Sequence, residues 1–193
     1  MVHKRKKATQ IRYLSGLKNV LLDWEKIKKF KDFPVYYIWR GVKEKGSLRY
    51  DITLIPPNVL GREFVKTKGH YHLGNFGEIY EVLEGEGIFL MQKGKDVIKK
   101  VYFVKAKRGE FVKIPPGFAH VTINATEKNL KIGNWIGKNV KSDYSFIEKK
   151  QGMCYYLTVY GWKKNKNYKK IPPLKRKRAL KKFPKNLKFL LGK

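Results

Sequence analysis

The apolar positions of this chain change rhythm near residue 34. In NVLLDWEKIKKF (19–30), Val20, Trp24 and Ile27 fall at i, i+4 and i+7, the spacing of a short amphipathic helix. After DFP the rhythm shortens to two. VYYIWRGV (35–42) and SLRYDITLI (47–55), rich in β-branched and aromatic residues and broken by KEKG, predict a hairpin. PPNVLG reads as a turn, and REFVKTKGHYH alternates as another strand. From Glu78 onward short apolar runs are punctuated by EGEG, KGKD, KRGE, PPG and ATEKN, which predicts an antiparallel β-barrel or sandwich. A last strand, MCYYLTVYGW (153–162), precedes IPPLKRKRALKKFPKNLKFLLGK, which reads as a loose helix or as unstructured chain. The pattern divides the chain into a basic arm (1–9), one all-β domain (10–162) and a Lys/Arg-rich tail (163–193).

Composition adds constraints. A chain of 193 residues is long enough for one domain with a proper core. The single cysteine, Cys154, rules out an intramolecular disulfide and reads as a small buried apolar residue. No apolar run approaches the roughly 20 residues of a membrane helix, and no apolar segment follows the basic start, so the expectation is a cytoplasmic protein. A formal net charge of +30 attracts anions of some kind. Lys outnumbers Arg 37 to 8, however, and the charge is spread rather than gathered, with 14 Lys or Arg and no acid in the last 31 residues. A dedicated nucleic-acid binder leans on Arg forks and a recognisable module, and neither is present; the simpler reading is a Lys-biased surface with a solvated tail.

The chemistry concentrates in KTKGHYHLGNFGEIYEVLEGEG (66–87). Two of the four His residues, His70 and His72, stand two apart, which on a strand turns both imidazoles to one face. Glu78 follows a Gly-containing turn at the start of the next strand. His120 enters another strand just after Pro-Pro-Gly. Three imidazoles and one carboxylate form a good shell for a divalent first-row metal with positions left open.

These residues carry a resemblance. GHYH, Glu78 and Gly85 resemble the first motif of the cupin superfamily, and GEFVKIPPGFAHVTIN (109–124) fits the second without a gap. FVKTKGHYH followed by EIYEVLEGEG is similar to the signature of the cupin-type glucose-6-phosphate isomerases, a family known mainly from archaea. The likeness runs from YYIWRGV to about residue 155 and leaves the tail outside. It implies a cupin double-stranded β-helix, or jelly-roll barrel, with a short N-terminal helical segment. It also implies a metal held by His70, His72, Glu78 and His120, with Fe2+ first and Mn2+, Zn2+ or Ni2+ as alternatives. Thr53, Thr67, Gly69 and Tyr80 would line the sugar-phosphate pocket, and the assembly would be a homodimer. Tyr144 is retained, whereas Trp135 stands at a Tyr position and Ser142 at a His position near the substrate phosphate. Lys138 or Lys141 would then supply the missing charge.

Aldose–ketose interconversion needs a base near C1 and C2 and something electropositive for the developing enediolate. Glu78 is the candidate base. Tyr80, two residues on along the same strand face, would orient substrate hydroxyls or carry a proton. The expectation is therefore a metal-dependent glucose 6-phosphate/fructose 6-phosphate isomerase. Another sugar-phosphate isomerase or epimerase, a non-catalytic sugar-binding cupin and a tail-mediated nucleic-acid binder are the alternatives.

Overall fold

The computed structural model describes residues 7–192. Most of the basic arm read at 1–9 lies outside them. Thr9, at its end, is already joined to the sheet: its N–H and hydroxyl both donate to the Ile38 carbonyl, at 2.8 and 3.0 Å.

The chain runs through β1 (Gln10–Tyr13), a 3-10 segment (Leu14–Val20), one turn of helix α1 (Trp24–Ile27), β2 (Pro34–Lys45) and β3 (Leu48–Ile55). Short strands β4 (Val59–Leu60), β5 (Glu63–Phe64) and β6 (Tyr71–His72) lead into β7 (Glu78–Glu84), β8 (Glu86–Gly94) and β9 (Ile98–Lys107). Then come β10 (Phe111–Ile114), β11 (Phe118–Ile123), β12 (Leu130–Gly137), β13 (Ser142–Asp143) and α2 (Ser145–Lys149). The chain closes with β14 (Tyr155–Thr158), β15 (Gly161–Lys164), β16 (Lys175–Arg178) and a 3-10 turn (Lys188–Leu190).

One sheet has the order β1-β2-β3-β12-β7-β10 and a second the order β11-β8-β9-β16. Antiparallel bridges Lys66↔Ile123 and His70↔His120 lay the segment 65–72 along the free side of β11. The two facing halves are therefore β3-β12-β7-β10 and (65–72)-β11-β8-β9. That is the eight-stranded jelly roll of two Greek keys, the cupin architecture expected from the motifs. Phe89, Leu90, Met91, Ile114, Ile123, Leu130 and Ile132 fill the interior. Cys154 is buried as expected, and burial pushes its thiol up to about 12.

The helix expected at 19–30 forms only as two separate turns. Val20 and Ile27 are buried as their spacing requires, but the link between them is claimed by the barrel. Leu22 N–H donates to Glu63 Oε2 at 2.6 Å, and the Asp23 carboxylate accepts from Arg62 N, Nε and Nη2. Lys66 is buried beside Glu63 and donates to the Val20 carbonyl at 2.8 Å, so three polar side chains hold this segment where a helix would release them. The tail also differs from expectation. It runs extended, pairs β16 in parallel with β9, and buries Tyr168, Phe189 and Leu190. Its apolar residues recur too sparsely for either strand or helix periodicity, so the sequence pattern hides them.

Candidate metal centre

His70 and His72 lie either side of Tyr71 on the segment beside β11, and both rings turn inward, with centroids 5.1 Å apart. His120 sits across the ladder from His70, each backbone N–H donating to the other's carbonyl at 3.2 and 3.1 Å. The His120 ring centroid is 4.5 Å from His70 and 5.2 Å from His72. β7 begins at Glu78 and brings its carboxylate to the same point: Oε2 lies 3.0 Å from His120 Nε2 and 3.3 Å from His72 Nε2. One potential ligand atom from each of the four falls within 4.8 Å of the other three.

The chemistry of these atoms fits a cation. His72 Nδ1 donates to the Phe76 carbonyl at 3.1 Å, since a carbonyl can only accept. Its Nε2 therefore turns a lone pair toward an anionic oxygen, a repulsive pairing unless a proton or metal lies between. His72 Nε2, Glu78 Oε2 and His120 Nδ1 are buried without hydrogen bonds, and orphans of this kind cost about 1–3 kcal/mol each. Burial opposes ionisation of Glu78, but facing His120 and His72 outweighs it and holds the carboxyl far below the usual range. Burial and the neighbouring rings His120 and His72 push His70 well down, and burial also lowers His120. For His72 burial is outweighed by Glu78, and its pKa rises. An ionised carboxylate among mostly neutral imidazoles is the state in which such groups bind metals.

Groups behind the cluster fix it in place. Asn134 Nδ2 donates to Glu78 Oε1 at 2.5 Å, leaving Oε2 for the imidazoles. Tyr80 Oη lies 3.2 Å from His120 Nε2; burial, then Glu78, pushes its phenol well above the usual range. Sequence reading missed Asn134. Its signal is a lone amide between Ile132 and Ile136 on an otherwise apolar inward face of β12.

His70 and Glu78 reach one cleft, and Thr53, Thr67, Gly69, Tyr80 and Tyr144 line it with them. Thr67 N–H donates to the Thr122 carbonyl and its Oγ1 accepts from Thr122 N–H, which leaves the hydroxyl proton for a ligand. Gly69 has φ +78°, a conformation that a side chain strains, so its amide can be presented without a Cβ in the way. The Tyr144 ring is 5.4 Å from His70, with the Lys68 ammonium 5.3 Å above it.

The loop reading needs correction. Trp135 faces away from the cleft, packing on Tyr50 at 5.0 Å and on the Ile79–Phe189–Leu190 cluster; Ile136 lines the cleft instead. Adjacent strand residues face opposite sides, so a shift of one position reverses the assignment. Ser142 does line the cleft, but Lys138 and Lys141 do not, and Lys138 pairs with Glu44 at the surface, 2.6 Å away. The cations that line it are Arg40, Arg49 and Lys68, all three missed in the sequence.

A family model described as glucose-6-phosphate isomerase (GPI) matches residues 11–173, reaching into the tail beyond the limit near 155 read from the motifs. Among curated relatives, the glucose-6-phosphate isomerase of Thermococcus litoralis is 34% identical over 124 residues, covering 61% of this chain and 64% of that protein. The Thermococcus onnurineus (strain NA1) protein of the same name is 30% identical over 145 residues, 72% of this chain and 75% of its own. The match thus spans under two thirds of the first relative's length. A solved oxalate oxidase structure overlays on 56% of this chain and 51% of its own, with 17% identity and a TM-score of 0.44.

Proposed function

The chain belongs to the glucose-6-phosphate isomerase family, and from that premise we propose that it interconverts glucose 6-phosphate and fructose 6-phosphate through an enediolate. The observation that carries this reading is the convergence of His70, His72, Glu78 and His120 into one cluster, of which His70 and Glu78 open on a cleft whose walls include Thr53, Thr67, Gly69, Tyr80 and Tyr144. The four ligating groups would hold one divalent ion, Fe2+ first and Mn2+, Zn2+ or Ni2+ as alternatives, which when bound supplies an electrophile for the oxygens on C1 and C2. Glu78 takes the proton from one carbon and returns it to the other. Its carboxylate stays ionised through the neutral range, and the Asn134 amide fixes one of its oxygens. Tyr80 keeps its proton and orients a substrate hydroxyl beside His120. Thr53, Thr67, the Gly69 amide and Tyr144 receive the sugar phosphate, and the positive field of the chain steers the dianion inward.

In this reading the chain is one cupin domain (10–162) with a basic arm and tail. It works as a cytoplasmic homodimer in glycolysis and gluconeogenesis. No helix among the described residues is long and apolar enough to cross a membrane. The test couples metal analysis of protein purified without added metal to an isomerase assay. About one divalent ion per chain is expected, with turnover lost on chelation and restored by Fe2+, Mn2+ or Zn2+. Sugar-phosphate binding with no turnover under any metal would replace the isomerase with a non-catalytic sugar-binding cupin.

A further inference from the structure

Arg40 and Arg49 reach the cleft from neighbouring strands and share one buried anion. Arg40 Nη1 and Arg49 Nε both donate to Asp51 Oδ2 at 3.1 Å. Asp51 Oδ1 accepts the Gly41 N–H at 2.8 Å. The register of β2 against β3 slips between Trp39 and Lys43, and Gly41 has φ +60°; this bulge turns Arg40 toward Asp51. Arg49 Nη1 is also tied to the Lys138 carbonyl at 2.6 Å. Asp51 is only 3% exposed, yet it lies two strand positions from Thr53 on the same inward face. Two guanidiniums are therefore held rigid at the substrate cleft by a carboxylate that neutralises one of them.

The ion pairs of the cleft give this pair a purpose. Of the three cations that line it, Lys68 is ion-paired with Glu148, while Arg40 and Arg49 share the single carboxylate of Asp51, which leaves one guanidinium charge uncompensated. Arg49 Nη2 and Arg40 Nε have no hydrogen-bond partner among the described residues, so donors remain for a further anion. A guanidinium pinned in this way loses little entropy on binding, and its planar fork matches phosphate oxygens.

We propose that Arg40 and Arg49, set by Asp51, bind the phosphate group of the sugar phosphate and select charged over neutral sugars. The proposal rests on the function given above but assigns residues that the motifs do not. Thr53, two positions from Asp51 along β3, adds a hydroxyl from the same face. Asp51 is a positioning residue; the two arginines touch the ligand.

The test uses the full chain with Arg49→Gln, Arg40→Gln and Arg49→Lys, each verified as folded by circular dichroism and by metal content. Two measurements are made: KM and kcat with fructose 6-phosphate, and the Kd of sorbitol 6-phosphate, which cannot isomerise, by calorimetry. Both Gln variants should raise KM and the sorbitol 6-phosphate Kd about tenfold or more, the loss falling in KM rather than kcat. That is the effect of removing one charge-assisted hydrogen bond. Arg49→Lys should restore part of the affinity. Wild-type affinity in both Gln variants, or a fall in kcat alone, overturns the clamp and leaves the isomerase reading in place. Arginine-dependent binding of sorbitol 6-phosphate without any turnover overturns the isomerase reading and leaves the clamp.

Discussion

Asn134 donates to Glu78 Oε1, and through that bond a residue outside the His70–His72–Glu78–His120 cluster decides which carboxylate oxygen faces the imidazoles. β12 pairs with β7 so that Asn134 stands opposite Tyr80, two positions along from Glu78. Asn134→Ala should free the carboxylate to rotate, leaving the fold intact and weakening metal retention and kcat about 10- to 100-fold, the usual effect of losing a partner behind a ligand. Titrating metal into chelated protein while following turnover checks this. Wild-type affinity in the variant would mean that the imidazoles alone orient Glu78.

His120 is bound to His70 through the backbone as well as facing it, so its side chain can be removed without opening the ladder. His120→Ala should retain the barrel, lose the metal and lose turnover. In the wild-type protein, chelation should lower the melting temperature, because bound metal at 100 times its Kd stabilises by about 2.7 kcal/mol. A thermal scan with and without chelator shows whether the four groups are linked to folding in this way.

The convergence of the four residues was legible because a strand's period of two ties spacing to facing. HxH, a later Glu and a His after Pro-Pro-Gly need no distances to be placed together. The barrel was legible through its turns. What stayed hidden depended on register across strands. Trp135 and Ile136 differ by one position and point to opposite sides, and Arg40, Asp51 and Arg49 meet only because β2 bulges at Gly41. Asn124, the closing residue of the second motif, serves as a loop staple, its amide donating to the Ile55 and Lys128 carbonyls at 2.9 and 2.8 Å.

Gly69 tests how far backbone conformation sets the site. A Cβ there would meet His120 O and Val121 Cβ at 3.5 Å, ordinary contact, so the obstacle is the φ of +78° rather than space. Gly69→Ala should cost about 1–2 kcal/mol and shift His70, its neighbour. Chemical denaturation gives the first quantity and metal content the second. A variant as stable as wild type would show that the chain relaxes at this point without penalty.

Stability should fall in acid through Asp23. The Arg62 guanidinium, gripping it through Nε and Nη2, holds its carboxyl below 3.8 against the opposing effect of burial. A carboxyl with a depressed folded-state pKa stabilises the fold above its unfolded pKa, and that contribution fades as pH drops through the folded value. Asp23→Asn should therefore destabilise by about 1–2 kcal/mol at pH 7, and the gap should close below about pH 4. Urea melts at both pH values decide; a gap that widens in acid contradicts the assignment.

The tail supports the candidate metal centre from outside the barrel. Phe189 and Leu190 pack on Ile79, the residue after Glu78, and the Phe189 carbonyl accepts the Gly77 N–H at 2.7 Å, on the other side of Glu78. The Lys113 ammonium sits 4.0 Å over the Phe189 ring, so one cation of this basic chain is engaged rather than solvated. Removing the ring leaves a gap against β7, and Phe189→Ala should destabilise by about 2–4 kcal/mol, near the lower part of the range for buried aromatics because the site is close to the surface. Because Gly77 and Ile79 bracket the carboxylate, the same variant should also weaken metal retention. A solvated tail makes the opposite forecast. Truncation after residue 183 would then leave both melting temperature and metal content unchanged, whereas the packing at Phe189 requires both to fall.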